Sequence, residues 1–205
     1  MFTGIIQAIG RIEQVERRER GVRLHVQAPP IDVASLKVGD SVAINGCCLT
    51  ATTIDATCFQ ADVSEETLAR TANLDRCGPV NLELAMALGD RIGGHLVLGH
   101  VDAVGHIVGL AKVGDSRELR IRAPRSLAPC LAFKGSLAVD GVSLTINRVE
   151  DSDQACEVAI NLIPHTLAAT TFGQAAMGQR VNLEVDPLAR YAERVVSLMS
   201  AALKR

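Results

Sequence analysis

Short segments rich in β-branched residues recur along the first half of the chain, with turn residues between them. They run over residues 10–15, 22–27, 41–44, 49–54, 59–63 and 80–84. Several strands of ordinary length separated by turns are typical of small antiparallel barrels. The pattern predicts an all-β fold in which the first half closes into a six-stranded barrel.

The second half of the chain repeats the first. Residues 4–12 align with 99–107, residues 24–29 with 119–124, and residues 41–50 with 136–145, each 95 positions later. The offset then grows to 99 at residues 67–71 and to 101 at residues 80–83, a drift that insertions in surface turns explain. We predict two tandem six-stranded antiparallel Greek-key barrels related by internal duplication, over residues 1–96 and 97–186.

Local signals predict turns and a short helix within these modules. Asn45-Gly46 and its counterpart Asp140-Gly141 are dipeptides favoured in tight hairpins, because Gly adopts positive φ freely and Asn and Asp tolerate it. Ser64, followed by two acidic residues, predicts the N-cap of a short helix.

The tail differs from both modules. Asp186-Pro187 predicts a helix start, and apolar residues continue at helical spacing through Arg205, so residues 187–205 form a predicted oligomerisation helix. The residues at heptad spacing are Leu188, Val195 and Ala202 in one position, and Tyr191 and Leu198 in the other. A seam this short is marginal alone, so the helix either self-associates or packs on its own barrel.

Composition narrows the class of ligand. The formal net charge is −2 with no run of like charge, so neither a nucleic-acid surface nor a polybasic membrane anchor is expected. No apolar stretch approaches the roughly 20 residues of a membrane helix, and no signal peptide is recognised. We expect a cytoplasmic protein whose partner is a small molecule. The six cysteines are expected to be free thiols, and no metal site is predicted because the usual ligand spacing is missing.

Two adjacent cysteines follow the first hairpin turn, and only one can face a given site because successive strand residues point to opposite sides. Cys47 corresponds to Val142, an apolar core residue, whereas Cys48 corresponds to Ser143. Cys48 is therefore the candidate nucleophile, and the alternative for it is a half-buried structural thiol.

Further candidates are weaker when taken singly. His100 stands where the first copy has Ile5, so the second copy has gained a group suited to proton transfer; the alternative is a structural histidine. His95 fits a structural role better. Taken alone, Ser41 would be interpreted as a turn residue, and Lys134 as a solvent-exposed lysine. Phe2 either fills a core or contacts a ligand.

Four motifs taken together resemble the riboflavin synthase α-chain family. They are Met1-Phe2-Thr3-Gly4-Ile5, Asn45-Gly46-Cys47-Cys48-Leu49-Thr50, Gly93-Gly94-His95-Leu96 with Gly99-His100-Val101-Asp102, and Asp140-Gly141-Val142-Ser143-Leu144-Thr145. The similarity covers the whole chain. It implies a homotrimer, with lumazine synthase as a candidate partner.

The resemblance also implies a reaction. In that family two molecules of 6,7-dimethyl-8-ribityllumazine dismutate by transfer of a four-carbon unit, giving riboflavin and 5-amino-6-(D-ribitylamino)uracil. Two like pockets suit two like substrates, and holding them face to face lowers the barrier by orientation. The resemblance implies no cofactor.

Site residues carried over by motif fall into two groups. The N-terminal pocket would use Gly4, Ile6, Cys48, Leu49, Thr50, Asp62, Val63, Ser64, Glu65, Glu66 and Thr67. The C-terminal pocket would use Gly99, His100, Val101, Lys134, Ser143, Leu144, Thr145, Asn161, Leu162, Ile163, Pro164, His165 and Thr166. The resemblance places the active site between the N-barrel of one subunit and the C-barrel of the next, and leaves open which pocket holds the donor.

The resemblance suggests a catalytic role for three of the candidate residues. Cys48 and Ser41 would assist nucleophilic addition to the donor ring, and His100 would help to remove a proton from the acidic methyl group. The family form of residues 64–66 and of His165 differs from this chain, which affects the expected substrate affinity. The rival interpretations are a non-catalytic lumazine- or flavin-binding protein and a structural trimer built around the tail helix.

Overall fold

The computed structural model describes residues 1–28 and 35–203. The strands are β1 Ala8–Arg18, β2 Gly21–Gln27, β3 Ser41–Ile44, β4 Cys47–Ile54, β5 Cys58–Ser64, β6 Gly78–Leu84, β7 Ala103–Val113, β8 Ser116–Pro124, β9 Ser136–Val139, β10 Val142–Asp151, β11 Ala155–Leu162 and β12 Arg180–Val185. The α-helices are α1 Glu65–Arg70, α2 Pro164–Ala169 and α3 Pro187–Leu203, and 3-10 turns span Arg125–Cys130 and Thr171–Gln174.

The strands close into two barrels of the same topology. The first runs β1-β2-β5-β4-β3-β6 and the second β7-β8-β11-β10-β9-β12, with antiparallel pairing throughout. Register shifts recur at matching points, at Ile12–Gln14 and Ile107–Gly109, and again at Ala51–Thr53 and Ile146–Arg148. The predicted all-β fold with two duplicated six-stranded barrels is confirmed.

Alternating side chains fill each barrel with its own apolar core. Leu24, Ile44 and Leu82 are fully buried in the first barrel, and their counterparts Leu119, Val139 and Leu183 are fully buried in the second. Each such side chain contributes roughly 1.5–3 kcal/mol on burial. Because the interiors are filled, any ligand site must use the outer faces of the strands.

The hairpin turns β3–β4 and β9–β10 meet tip to tip. Asn45 and Asp140 both have φ of +45°, as the dipeptide signal predicted. A Cβ added at Gly46 would lie 2.6 Å from the backbone nitrogen of Gly141. Only glycine allows the turns to approach so closely, so the same residues that shape each turn also join the barrels.

A buried polar network surrounds this contact. The backbone N–H of Asn81 donates to Asn45 Oδ1 (2.8 Å), and that of Asn182 donates to Asp140 Oδ1 (2.7 Å). The side-chain amides then cross between the barrels: Asn81 donates to the Asp140 carbonyl and Asn182 to the Asn45 carbonyl, each at 2.9 Å. These paired bonds fix the relative orientation of the two modules.

Phe2 lies in a small apolar cluster between the barrels. Its ring is fully buried against Ala43, Val97 and Ala138, and Cys48 packs against the same group. The backbone N–H of Phe2 donates to the Val97 carbonyl at 2.8 Å. Of the two interpretations of Phe2, the structure favours the one in which it fills a core.

The segments before β1 and β7 cross over to the opposite barrel. We call residues 2–6 the N-terminal segment and residues 97–101 the linker segment. Ser143 N–H donates to the Gly4 carbonyl and Cys48 N–H to the Gly99 carbonyl, both at 2.8 Å. Ile6 accordingly packs on the core of the second barrel, and Val101 on that of the first. Since residues are exchanged in this way, the domain boundaries at 96/97 and 186/187 stay a prediction.

Helices α1 and α3 begin where their caps were predicted. Ser64 Oγ accepts from Thr67 N–H at 3.2 Å, and Asp186 Oδ1 accepts from Leu188 N–H at 2.9 Å. Helix α3 is described as far as Leu203, so the end of the predicted helix at Arg205 lies outside the described residues. None of the described helices is long and apolar enough to span a membrane.

The heptad face of α3 is exposed within one chain. Leu188, Tyr191, Val195 and Leu198 are each more than half exposed. Of the two predicted fates of the helix, packing of this face on its own barrel is not observed. The face is free for contact between chains.

Candidate active site at the exchanged segments

The outer face of the β3–β4 hairpin carries the candidate nucleophile. In the register of this pair Ser41 faces Thr50 and Ala43 faces Cys48, so all four side chains lie on one side of the sheet. Ser41 and Cys48 are half-buried, and Thr50 is exposed. The hairpin therefore brings Ser41 and Cys48 to the same face as diagonal neighbours.

The adjacent cysteines point in opposite directions, as expected from the comparison of modules. Cys47 is buried in the first barrel, and burial raises the pKa of its thiol to about 12. A thiol held neutral in this way cannot serve as a nucleophile near neutral pH. Cys48 is thus the better placed of the two for chemistry.

The linker segment covers Cys48. A Cβ added at Gly99 would lie 2.5 Å from the Cys48 Cβ, and Gly99 has φ of +79°. His100 follows directly and is exposed. The linker segment therefore brings the backbone next to His100 onto the Cys48 hairpin of the N-terminal barrel.

The grouping of residues into pockets predicted from sequence is wrong in one respect. Gly4 and Ile6 were assigned to the N-terminal pocket, and Gly99, His100 and Val101 to the C-terminal one. The hydrogen bonds of Gly4 and Gly99 place these segments the other way round, on the hairpins of Ser143 and Cys48 respectively. The physical reason is the crossover of both segments between the barrels.

Strand β5 and α1 extend the face that starts at Cys48. Asp62 is exposed and forms a two-bond ion pair with Arg23, at 2.6 and 2.8 Å. The hydrogen bond from this guanidinium holds the pKa of Asp62 below its usual value. Arg23, Asp62, Val63 and Ser64 border a surface cleft of about 430 Å³. The cleft is within the size range of small-molecule sites.

The matching face of the second barrel carries different chemistry. Ser143 Oγ lies 2.7 Å from His95 Nδ1, and Ile5 is half exposed in the place that His100 takes on the first barrel. Burial lowers the pKa of His95, partly opposed by the charge of Asp186. A cleft of about 410 Å³ lies on the other side of Ile5, towards β6, where it is lined by Glu83 and Leu84. This face pairs a hydroxyl with an imidazole, whereas the first face carries the Cys48 thiol.

Lys134 lies at the edge of the second face. Its Nζ donates to Asn147 Oδ1 at 2.8 Å and lies 5.3 Å from the centre of the Phe133 ring. The residue itself is exposed. Within residues 1–28 and 35–203, no cluster of three or more His, Cys, Asp or Glu residues has the geometry of a metal site.

Comparison with known proteins identifies the family. The sequence profile of the Lumazine binding domain matches twice, at residues 3–85 and 98–186. The riboflavin synthase of Photobacterium phosphoreum is 43% identical over 96% of this chain and 89% of its own length. That of Mycobacterium bovis is 44% identical over 96% of this chain and 98% of its own.

The chain belongs to the riboflavin synthase family. Solved structures share its fold: LumP complexed with riboflavin superposes with a TM-score of 0.80 at 25% identity, covering 90% of this chain and 99% of that one. LumP complexed with 6,7-dimethyl-8-(1'-D-ribityl) lumazine gives a TM-score of 0.78 at the same identity and coverage.

Not every candidate residue of this riboflavin synthase family member turns its side chain to the outer face. Four of them point into the barrel cores and are buried: Leu49, Val63, Leu144 and Leu162. Gly4 and Gly99 are buried by the close approach of the hairpins. The other candidates are exposed or half-buried, namely Ile6, Ser41, Cys48, Thr50, Asp62, Ser64, Glu65, Glu66, Thr67, His100, Val101, Lys134, Ser143, Thr145, Asn161, Ile163, Pro164, His165 and Thr166. The buried ones can offer a ligand only backbone groups.

Two side chains near the site, Glu83 and Glu184, were not recognised from the sequence, and His95 was expected to be structural only. Glu83 and Glu184 bind the backbone of the N-terminal and linker segments, and His95 contacts Ser143. The two glutamates occupy equivalent places in the duplicated Val-Asn-Leu-Glu sequence, a signal that could have found them. His95 has no counterpart in the first module, so the duplication gave no signal for it.

Proposed function

We propose that this chain is a riboflavin synthase, which converts two molecules of 6,7-dimethyl-8-ribityllumazine into riboflavin and 5-amino-6-(D-ribitylamino)uracil. The proposal is supported by near full-length identity of about 40% to enzymes of that name. The activity is a transfer of carbon between two copies of one substrate. It calls for two binding faces within reach of each other.

One structural observation carries the proposal. The same hairpin face is built twice, and each is completed by a segment from the other half of the chain, with Gly99 on Cys48 and Gly4 on Ser143. Two faces with the same backbone can bind two molecules of the same substrate, and their different side chains allow different chemistry on each molecule. Preorganised faces of this kind supply the orientation that a bimolecular reaction lacks in solution.

The roles of the residues form part of the proposal. Cys48, helped by Ser41, assists nucleophilic addition to the donor ring, because both side chains share the outer hairpin face. His100 helps to remove a proton from the acidic methyl group, a step for which imidazole is suited near neutral pH. The remaining candidate residues bind the heterocycle and the ribityl chain.

We further propose that the complete site forms between chains of a homotrimer. Within one chain both faces stay open to solvent, and the apolar heptad face of α3 is exposed. Sedimentation of the chain truncated after Pro187 tests the part played by the helix. We expect the oligomer to dissociate, and an unchanged trimer would contradict the proposal.

Three further expectations stand as predictions. They are a cytoplasmic location, activity without a bound cofactor, and association with lumazine synthase. All six cysteines are free thiols, which is compatible with a reducing compartment. Co-sedimentation with purified lumazine synthase would test the association.

A direct assay separates this proposal from a binding protein. Purified protein is mixed with the lumazine as sole substrate, without added metal or nucleotide, and riboflavin is followed by its fluorescence. We expect one riboflavin for every two lumazine molecules consumed. Binding of the lumazine without its consumption would instead identify a non-catalytic relative.

A further inference from the structure

Glu184 holds the linker segment in place from the opposite side to Cys48. It lies on β12 and is only 3% exposed. Its Oε1 accepts from Leu98 N–H at 2.7 Å, and its Oε2 accepts from Gly99 N–H at 2.9 Å and His100 N–H at 3.0 Å. One carboxylate thus binds three consecutive backbone donors, including that of His100.

Glu83 does the same for the N-terminal segment. Its Oε1 accepts from the backbone and hydroxyl of Thr3 at 2.6 and 2.7 Å, and its Oε2 accepts from Gly4 N–H at 3.0 Å. It is equally buried. We call each buried carboxylate with the backbone groups that it binds a clamp. The clamp is therefore duplicated, but the residue that follows Gly4 is Ile5, which cannot transfer a proton.

A second pair of contacts tightens each clamp. Asp102 Oδ2 accepts from Val185 N–H at 2.9 Å, and at the matching place Gln7 Oε1 accepts from Leu84 N–H at 2.9 Å. Asp102 also forms a two-bond ion pair with Arg190 of α3, at 2.8 and 3.0 Å. The charged version of the contact occurs only beside the linker segment, in the half that carries His100.

The three backbone N–H groups are all satisfied only if both side-chain oxygens of Glu184 accept hydrogen bonds. Burial raises the pKa of Glu184, whereas the N–H groups of Leu98 and Gly99 oppose that rise because they stabilise the carboxylate. A glutamine in its place has only one oxygen, so its amide NH₂ would face either Leu98 N–H or the pair from Gly99 and His100. Either orientation leaves a buried N–H without its acceptor.

We propose that Glu184 is a positioning residue for the reaction, which fixes His100 over the Cys48 face by binding the backbone of the linker segment. The inference rests on the proposed function. It assigns Glu184 no contact with substrate: the carboxylate acts only through His100. Glu83 supports the other face in the same way but controls no titratable group there.

A double-mutant cycle tests this inference. Glu184→Gln is made in the parent and in His100→Gln, and kcat is measured with the lumazine as sole substrate. We expect Glu184→Gln to lower kcat on the order of tenfold in the parent and by less than about threefold in His100→Gln, since coupled residues are not additive. Glu83→Gln removes a clamp of the same kind, and its effect should be the same in both backgrounds.

A readout without turnover separates this inference from the proposed function. The side-chain NMR titration of His100 and amide exchange at residues 98–100 are followed in the parent, Glu184→Gln and Glu83→Gln. We expect both signals to change in Glu184→Gln and to stay as in the parent in Glu83→Gln. If Glu184→Gln left them unchanged, or cost the same kcat with and without His100, the inference would be overturned. Absence of riboflavin in the parent would contradict the proposed function instead.

Discussion

The two barrel faces have the same backbone arrangement but carry different side chains. On the first, Cys48 meets the linker segment that carries His100; on the second, Ser143 meets the N-terminal segment that carries Ile5. The contacts between hairpin and segment are equal in length, 2.8 Å on each side. Duplication has kept the geometry of the site, and the chemistry of the two copies has diverged at a few side chains.

The comparison indicates how one chain can treat two identical substrate molecules differently. A thiol and an exposed imidazole occur together on the first face only. The second face has a serine hydroxyl bonded to His95, whose pKa burial keeps below its usual value. An asymmetric reaction between like molecules requires a difference of this kind. The following changes either remove the difference or test the geometry that both faces share.

The largest effect is expected from changing the proton-transfer group. His100→Gln should lower kcat by about 100-fold or more, because general acid–base catalysis typically contributes 10²–10⁴-fold. Ile5→Gln puts the same side chain at the matching place on the other face and should act mainly on KM. Steady-state kinetics with the lumazine check both variants, and equal losses of kcat would contradict the assigned asymmetry.

The next effect concerns the apolar cluster that holds both faces together. Phe2→Ala should lower the free energy of unfolding by about 3–5 kcal/mol, because a fully buried ring is removed. Its counterpart Val97→Ala should cost less, since fewer buried carbon atoms are removed. Phe133→Ala is the control: that ring is 67% exposed, and its loss should change stability by less than about 0.5 kcal/mol. Urea unfolding gives the values.

A smaller effect tests the close approach of linker and hairpin. Gly99→Ala adds a Cβ 2.5 Å from that of Cys48, whereas Gly178→Ala, at the same φ of +79°, meets nothing within 4 Å. Both variants carry the cost of a left-handed residue, roughly 1–2 kcal/mol. Only Gly99→Ala should lose additional stability and activity. Equal unfolding free energies for the two variants would argue against the observed contact.

The last prediction concerns Asp140, the acidic residue of the buried polar network. Burial raises the pKa of Asp140 to about 7, opposed by the N–H of Asn182. Because the folded state favours protonated Asp140, its contribution to stability is complete below about pH 4 and is lost as the pH rises to 7. Asp140→Asn, which copies Asn45, should remove this loss.

Urea unfolding of the parent and Asp140→Asn at pH 4.5 and pH 8 measures this contribution. The variant should gain stability relative to the parent at the higher pH. Asn45→Asp provides the reciprocal test, since it places a second carboxyl in the network and should lose stability at pH 8. If the free energy of unfolding changed by the same amount between pH 4.5 and pH 8 in the parent and in Asp140→Asn, Asp140 would not titrate between these values.

Much of the fold could be predicted because its signals are local. Segments rich in β-branched residues located the strands, and the duplication assigned Cys47 to the core and Cys48 to the outer face. Strand β1 is longer than predicted, Ala8–Arg18 rather than residues 10–15, because its charged end pairs with β2 while exposed to solvent. Strand pairing there needs no apolar side chain, so the search for β-branched segments did not reveal it.

The crossover of the two segments could not be predicted from the sequence. An alignment of the modules looks the same whether the segment of residues 97–101 packs on its own barrel or on the other one. Glu83 and Glu184 were missed for a related reason. Each follows an inward leucine and has the sequence pattern of an ordinary outward strand residue. It is nevertheless buried, and it binds the segment that precedes the first strand of its own barrel.

The most direct test of two working faces is the number of substrate molecules that one chain binds. Equilibrium titration of the slow His100→Gln variant with 6,7-dimethyl-8-ribityllumazine, followed by calorimetry, gives that number. Two molecules per chain are predicted, and Ser143→Trp, which blocks the second face, should reduce the number to one. A single site per chain in His100→Gln itself would contradict the account.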